Sequence, residues 1–275
     1  MLKGVNQWCF PQGTPLETVF AVSREAGYDA VELNVNPDGL PGLTMDTTAQ
    51  EADEIARLAR GYNLQLRSIS TSLLWKFPLS SPDPDIRAQG AAVVRKQLEL
   101  AERLGADTVL VVPGTVNETT SYDDCYARSR RELETLVAEA ERRGVKIGIE
   151  NVWNKFLLSP LEMKQYVDDF ASPWIGVYFD VGNILLYGFP EQWIRILGNR
   201  IAKVHVKDFR TAVGNGKGFV PLLAGDVNWP EVMQALRETG YSDTLTAEIG
   251  VYANSPYQAV YDTANQLEAI IRGKR

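Results

Sequence analysis

The sequence is poor in the residues that build metal clusters and covalent scaffolds. It has one histidine, His205, and two cysteines, Cys9 and Cys125. One imidazole excludes a histidine-rich, multi-metal centre. The cysteines are far apart and lack CxxC spacing, which excludes a zinc ribbon and a disulfide scaffold; they read as free thiols of a reducing compartment. No apolar run is long enough to span a bilayer. The start, "MLKGVNQWCF", lacks the charged and apolar regions of a signal peptide. A cytoplasmic protein with no membrane partner is the expectation. Surplus positive charge is also missing: the net charge is −7 and the isoelectric point about 5.0. Such a chain is repelled by a phosphate backbone unless it keeps a local basic stripe. The arginine-rich stretch "ARSRRELETLVAEAERRG" interleaves glutamates at helical spacing and reads as a solvated helix face. No nucleic-acid partner is expected.

What is present is a regular alternation along 275 residues of ordinary globular composition, 45% hydrophobic and 23% charged. Short apolar runs read as strands: "GVNQWCF", "AVELNV", "LQLRSIS", "TVLVVP", "VKIGIEN", "IGVYFDV", "IAKVHVK" and "TLTAEIG". Between them lie segments of helical period. "TPLETVFAVSREAG" opens on a Thr14 cap and closes on Gly27; others close on Gly61, Gly105, Gly144 and Gly240. Ser159 is the expected N-cap of "SPLEMKQYVDDF", with Pro160 at the first helical position. The sixth helix is the least distinct. Strands alternating with helices imply a parallel sheet, and eight units over this length fit a closed (β/α)8 TIM barrel, a single domain spanning 1–275. The rival is a doubly wound open sheet. It would carry a glycine-rich phosphate turn after its first strand, where this chain has "PQGTPLE".

A barrel of this kind places its chemistry at the C-terminal strand ends. Strand five ends in Glu150, strand six in Asp180, strand seven carries His205, and strand eight ends in Glu248. Each alone has an ordinary explanation: a strand-end aspartate is commonly a cap, and a strand histidine commonly a hydrogen-bonded core group. Four on consecutive strands is the informative coincidence. Three converging carboxylates would raise one another's pKa values, and a bound divalent metal removes that cost. Three oxygens and one imidazole suit Mn²⁺, Mg²⁺ or Co²⁺, with Zn²⁺ or Fe²⁺ as alternatives.

The stretches "VELN", "GIEN", "FDVGN", "KVHVKDF" and "AEIG" resemble the sugar isomerase/epimerase superfamily of xylose isomerase-like barrels, over essentially the whole chain. Ketose 3-epimerases and L-ribulose-5-phosphate 3-epimerases are the most similar branches. The resemblance implies that Glu150, Asp180, His205 and Glu248 bind one divalent metal, Mn²⁺ first among them. It implies that Glu150 and Glu248 flank the sugar C3 as general base and acid. It sets Glu32, in "VELN", facing the substrate pocket. Asn183 stands where many ketose 3-epimerases have a second histidine, and "D-x-GN" is the pattern of the sugar-phosphate branch. The implied partner is a small sugar or sugar phosphate, and a homo-oligomer is common among such barrels.

Further candidates come from the strand-end loops. Lys207, Arg210 and Lys217 could meet a phosphate or hydroxyl, or form a polar loop. Trp8, Phe10, Trp75, Trp153 and Phe156 could wall a sugar pocket or belong to the core. Asn151 and Asn154 could bind hydroxyls or make turns. A metal-dependent epimerase or isomerase is the leading reading. An inosose-type dehydratase on the same barrel is the alternative, and a non-catalytic sugar-binding barrel the bland one. A DNA-repair endonuclease would need a three-zinc cluster that one histidine cannot build.

Overall fold

The computed structural model describes residues 1–273. Eight parallel strands close into a barrel: β1 (Leu2–Asn6), β2 (Ala30–Val35), β3 (Gln65–Thr71), β4 (Thr108–Val111), β5 (Lys146–Glu150), β6 (Ile175–Asp180), β7 (Ile201–Val206) and, eighth in the ring, β10 (Thr244–Ala247). The ring runs β1-β10-β7-β6-β5-β4-β3-β2, so β5, β6, β7 and β10 are consecutive neighbours. In register, Asp180 pairs with His205 and His205 with Thr246. The strands are buried on both faces, as parallel strands sandwiched between barrel interior and helices must be.

The outer helices are α1 (Leu16–Ala26), α2 (Ala49–Gly61), α4 (Pro84–Leu104), α5 (Tyr122–Arg143), α6 (Pro160–Asp168), α8 (Pro190–Leu197), α9 (Trp229–Glu238) and α10 (Gln258–Arg272), with short turns α3 (Leu73–Lys76) and α7 (Val181–Ile184). Local chemistry sets their ends. Thr48 and Glu51 form a capping box on α2. Ser159 caps α6 through Glu162 N, with Pro160 in its first turn. Gly27, Gly105 and Gly144 take the left-handed C-terminal conformation.

Two expected caps differ. Thr14 donates to Pro11 O, and Pro15 precedes α1 without a side-chain cap. Gly61 lies inside α2, and the positive φ falls on Asn63 at 53°. The indistinct sixth helix is split: α7 is a single turn after Asp180, and α8 is only 8 residues long. The loop after β7 folds into a hairpin of β8 (Asp208–Phe209) and β9 (Phe219–Val220), with "GNGKG" as its turn.

Candidate metal and substrate site

The four strand ends converge. Glu150, Asp180, His205 and Glu248 each offer one donor atom, and these atoms all lie within 4.8 Å of one another. Glu150, Asp180 and His205 are buried. His205 Nδ1 lies 2.9 Å from Glu248 Oε2 and 3.5 Å from Glu150 Oε1, yet it makes no hydrogen bond. Asp180 Oδ2 is likewise without one, although Lys207 Nζ stands 3.2 Å away. The same ammonium is 3.1 Å from Glu248 Oε2. Two buried polar atoms of the set thus lack hydrogen bonds, which is uncommon in a protein interior. Three carboxylates and one imidazole meet around a single ammonium. The donor set, oxygen-rich with one imidazole, fits a hard or borderline divalent ion.

The electrostatics separate the two glutamates. Burial raises the Glu150 carboxyl above its ordinary value, and the Glu248 charge adds to the rise. Glu248 is held low: burial works against its charge, but Lys207 and His205 outweigh it. Burial raises Asp180 too, opposed by Lys207. Burial opposes the His205 charge, yet the surrounding carboxylates, Glu32 foremost, lift the imidazole well above its ordinary value.

Asp180 is set by its neighbours. Its Oδ1 accepts from Asn183 N and starts the α7 turn. Asn151 grips its backbone at both ends, accepting from Asp180 N and donating to Asp180 O, both at 2.8 Å. Asn183 donates to Asn151 O, and Asn183 O accepts from Trp153 Nε1. Asn151 and Asn183 therefore frame the site rather than reach into it. Gly182 lets this frame approach β7, since a Cβ there would lie 2.6 Å from Lys207 Cβ.

Above the donors opens a cavity of about 460 Å³, lined by Trp8, Lys207, Phe219, Glu248, Ile249 and Tyr252 among others. Trp8 also lines an adjoining cavity of about 450 Å³ with Phe10 and Gln12. Trp153 packs edge-on against Phe209 and beside Phe219, backing the hairpin.

Several expected site residues lie elsewhere. Glu32 does not face the cavity. It is buried beneath His205, whose Nε2 lies 2.6 Å from Glu32 Oε1. Arg210 is exposed, with Nε donating to Ala224 O and its N–H closing the hairpin onto Gly218 O. Lys217 is on the exposed hairpin turn. Phe156 belongs to an aromatic core cluster with Tyr122, Tyr126 and Tyr166. Trp75 is solvent-exposed, and Asn154 makes a turn, donating to Gly114 O and accepting from Phe156 N.

The groups under the site carry no signal in the sequence. Tyr178 hydroxyl and Ser68 Oγ both donate to Glu32 Oε2, and Asn6 Nδ2 donates to Glu32 Oε1 at 2.5 Å. Ile249 and Tyr252, which follow β10 and wall the cavity, are equally unmarked. The only signal for them was position beside a strand end. Cys9 is buried, bonded to Ala247 O and Ile249 N, and burial pushes its thiol up to about 12, so it braces the β10 end as a neutral group.

A closed parallel barrel with a carboxylate–imidazole donor set at its C-terminal mouth defines a class. The chain belongs to the xylose isomerase-like TIM barrel family, whose model matches residues 20–270. Within it, the chain is similar to the L-ribulose-5-phosphate 3-epimerase UlaE of Salmonella typhimurium, at 25% identity over 247 residues, covering 90% of this chain and 86% of that one. The solved L-ribulose 3-epimerase superposes with a TM-score of 0.82 at 18% identity, covering 99% of this chain and 95% of that one. A D-tagatose 3-epimerase-like protein superposes with a TM-score of 0.82 at 21% identity, covering 100% and 99%. Among the described residues no helix is long and apolar enough to cross a membrane.

Proposed function

We propose that this chain is a metal-dependent epimerase of a ketose or ketose phosphate, inverting the carbon next to the carbonyl through an enediolate. The observation that carries the reading is the four-donor set beside an open cavity that Glu248 and Lys207 line, with His205 Nδ1 and Asp180 Oδ2 lacking hydrogen bonds. The L-ribulose-5-phosphate and L-ribulose 3-epimerases named above support the choice of substrate class.

Asp180, His205, Glu150 and Glu248 would hold the ion, and Mn²⁺ is the first candidate. A divalent ion there supplies Lewis-acid stabilisation of the negative charge that develops on the substrate oxygens. The chain's own groups do the rest. Glu150 ends β5 and Glu248 follows β10, with β6 and β7 between them, and in this reading the sugar's C3 lies between the two carboxylates. One carboxylate removes the C3 proton and the other returns a proton from the opposite face, which inverts the centre. Their different surroundings, with burial prevailing at Glu150 and the Lys207 contact prevailing at Glu248, set the pair apart as proton acceptor and donor groups. Lys207 reaches the cavity and supplies a positive charge to a sugar oxygen. Trp8 and Tyr252 offer flat walls for the sugar's apolar face.

The test is metal analysis of the purified protein, followed by a panel of ketoses and ketose phosphates in D₂O with deuterium uptake at C3 monitored. The expected result is one divalent ion per chain and exchange at C3 with epimer formation. Exchange accompanied by water loss would move the chain to the dehydratases. No ion and no exchange on any sugar would overturn the reading.

A further inference from the structure

We propose that Glu32 is a positioning residue: from inside the barrel it fixes the tautomer and the plane of the His205 ring, as the centre of a hydrogen-bonded set completed by Tyr178, Ser68 and Asn6. The metal-affinity part of this inference rests on the reading above; the ring geometry does not.

Glu32 is 2% exposed, so its partners are protein groups. Its carboxylate meets four of them. Oε1 accepts from Asn6 Nδ2 at 2.5 Å and lies 2.6 Å from His205 Nε2. Oε2 accepts from Ser68 Oγ and from the Tyr178 hydroxyl, which are themselves 3.1 Å apart. An ionised carboxylate has no proton to give, so at this contact Nε2 is the donor. A ring that binds a cation through one nitrogen is neutral and carries one N–H, on the other. With that proton on Nε2, the lone pair is on Nδ1, the atom 2.9 Å from Glu248 Oε2 and 3.5 Å from Glu150 Oε1. Glu32 thus decides that the nitrogen facing the donor set is the one able to bind a cation.

The same set holds the ring's plane. The Tyr178 ring lies against the imidazole with centroids 4.5 Å apart and planes at 57°. Tyr178 therefore restrains His205 twice, by packing on it and by donating to its partner. Turning the ring over would set a carbon against Glu32 and leave a buried carboxylate short of a donor, which is expensive. The supports come from β1, β2, β3 and β6, so the ring is braced from across the barrel interior rather than by its own strand. Outer partners of this kind orient metal-binding histidines.

The single histidine makes the test direct, because ¹⁵N-histidine labelling yields one ring and needs no assignment. Loaded with Mg²⁺, the wild-type chain should show one ring N–H, at Nε2, exchanging slowly with solvent. Glu32→Gln should weaken Mn²⁺ binding, read from the free-ion EPR signal, by about 10- to 100-fold, and should shift or broaden the Nε2–H resonance. Tyr178→Phe keeps the packed ring and removes one donor. It should move both readouts in the same direction by less. If Glu32→Gln does not fold, Tyr178→Phe and Ser68→Ala carry the test. A proton found on Nδ1 in the loaded wild type overturns the proposal, as does a folded Glu32→Gln with wild-type Mn²⁺ affinity and an unchanged ring signal. If the wild type takes up no Mn²⁺, the metal reading falls and the metal-free ring decides alone. An Nε2–H protected from exchange then supports the role of Glu32, and one that exchanges like a surface histidine overturns it.

Discussion

The two ends of the barrel both hold buried charge and handle it in opposite ways. At the N-terminal end, Lys203 is almost fully buried and bridges Asp107 and Asp243 at 2.7 and 2.5 Å. Arg67 bridges the same two carboxylates at 2.8 and 2.7 Å. Two cations face two anions, and each cation is paired twice. At the C-terminal end, Glu150, Asp180 and Glu248 share one ammonium, and two buried atoms lack hydrogen bonds. The first arrangement ties β3, β4, β7 and β10 together. The second gathers three carboxylates around one ammonium and one imidazole, beside an open cavity. Paired charge stabilises the N-terminal end, and the clustered acids lie at the end where barrels of this kind carry their chemistry.

The largest effect is expected from neutralising a carboxylate at the C-terminal end. Glu150→Gln and Glu248→Gln should each lower C3 exchange by about 10²- to 10⁴-fold, the range of a general acid or base, with the fold intact by circular dichroism. Near-wild-type exchange in both variants would remove them from the chemistry. The next largest effect belongs to the other end. Lys203→Met leaves two carboxylates beside a single arginine and should cost about 3 kcal/mol, the lower end for a broken buried pair because both acids are partly exposed. Urea unfolding would measure it. An unchanged midpoint would show that the N-terminal cluster only decorates the fold.

Acid and base titrations should separate the ends by sign. Asp243 is drawn down to about 2 from 3.8: burial opposes its charge, but hydrogen bonds and charge from Arg67 and Lys203 prevail. A depressed carboxylate stabilises the fold above its unfolded pKa, and that contribution is lost as pH falls from about 4 toward 2. Glu150 is shifted the other way by burial. In metal-free protein its contribution is present below its unfolded value and is lost as pH rises toward neutral. Urea midpoints across pH 2.5–8, roughly the span of both windows, should therefore fall at both edges. Asp243→Asn should flatten the acid edge only, and Glu150→Gln the upper edge only. Curves that parallel the wild type would mean the two clusters do not differ as described.

How much of this was legible in the sequence follows from the same physics. The barrel was readable because strands and helices carry local punctuation: apolar β-branched runs, then helical period closed by Gly27, Gly105 or Gly144. The stretch after Asp180 blurred because its helix is broken into one turn and an eight-residue piece by Gly188, Phe189 and Pro190. The donor set was readable because ionisable groups stand out at the ends of apolar strands. Glu32 was visible as an acid, but its direction was not. A strand buried on both faces shows no alternation, so nothing in "VELN" says which wall of the barrel Glu32 turns toward. Ser68 and Tyr178 were hidden for the same reason. Arg210 and Lys217 misled because a hairpin, formed by pairing across a loop, turns them to solvent.

The smallest expected effect tests one misread position at the stabilising end. Gly61 ends α2, close to the start of β3, and its added Cβ would meet nothing within 4 Å. Gly105 at the end of α4 also has open space, but its φ is 75°. If Gly61 were a left-handed cap, alanine would strain both sites alike. Because Gly61 has helical geometry and Asn63 carries the positive φ, Gly61→Ala should stabilise by about 0.5–1 kcal/mol, through helix propensity and a less flexible unfolded chain. Gly105→Ala should destabilise by a similar or larger amount. Neither change should alter Mn²⁺ affinity, since both lie at the end of the barrel opposite the donor set. A destabilised Gly61→Ala would return that glycine to the role of cap. A changed Mn²⁺ affinity in either variant would show that the two ends are coupled, against the division of labour that their charge clusters display.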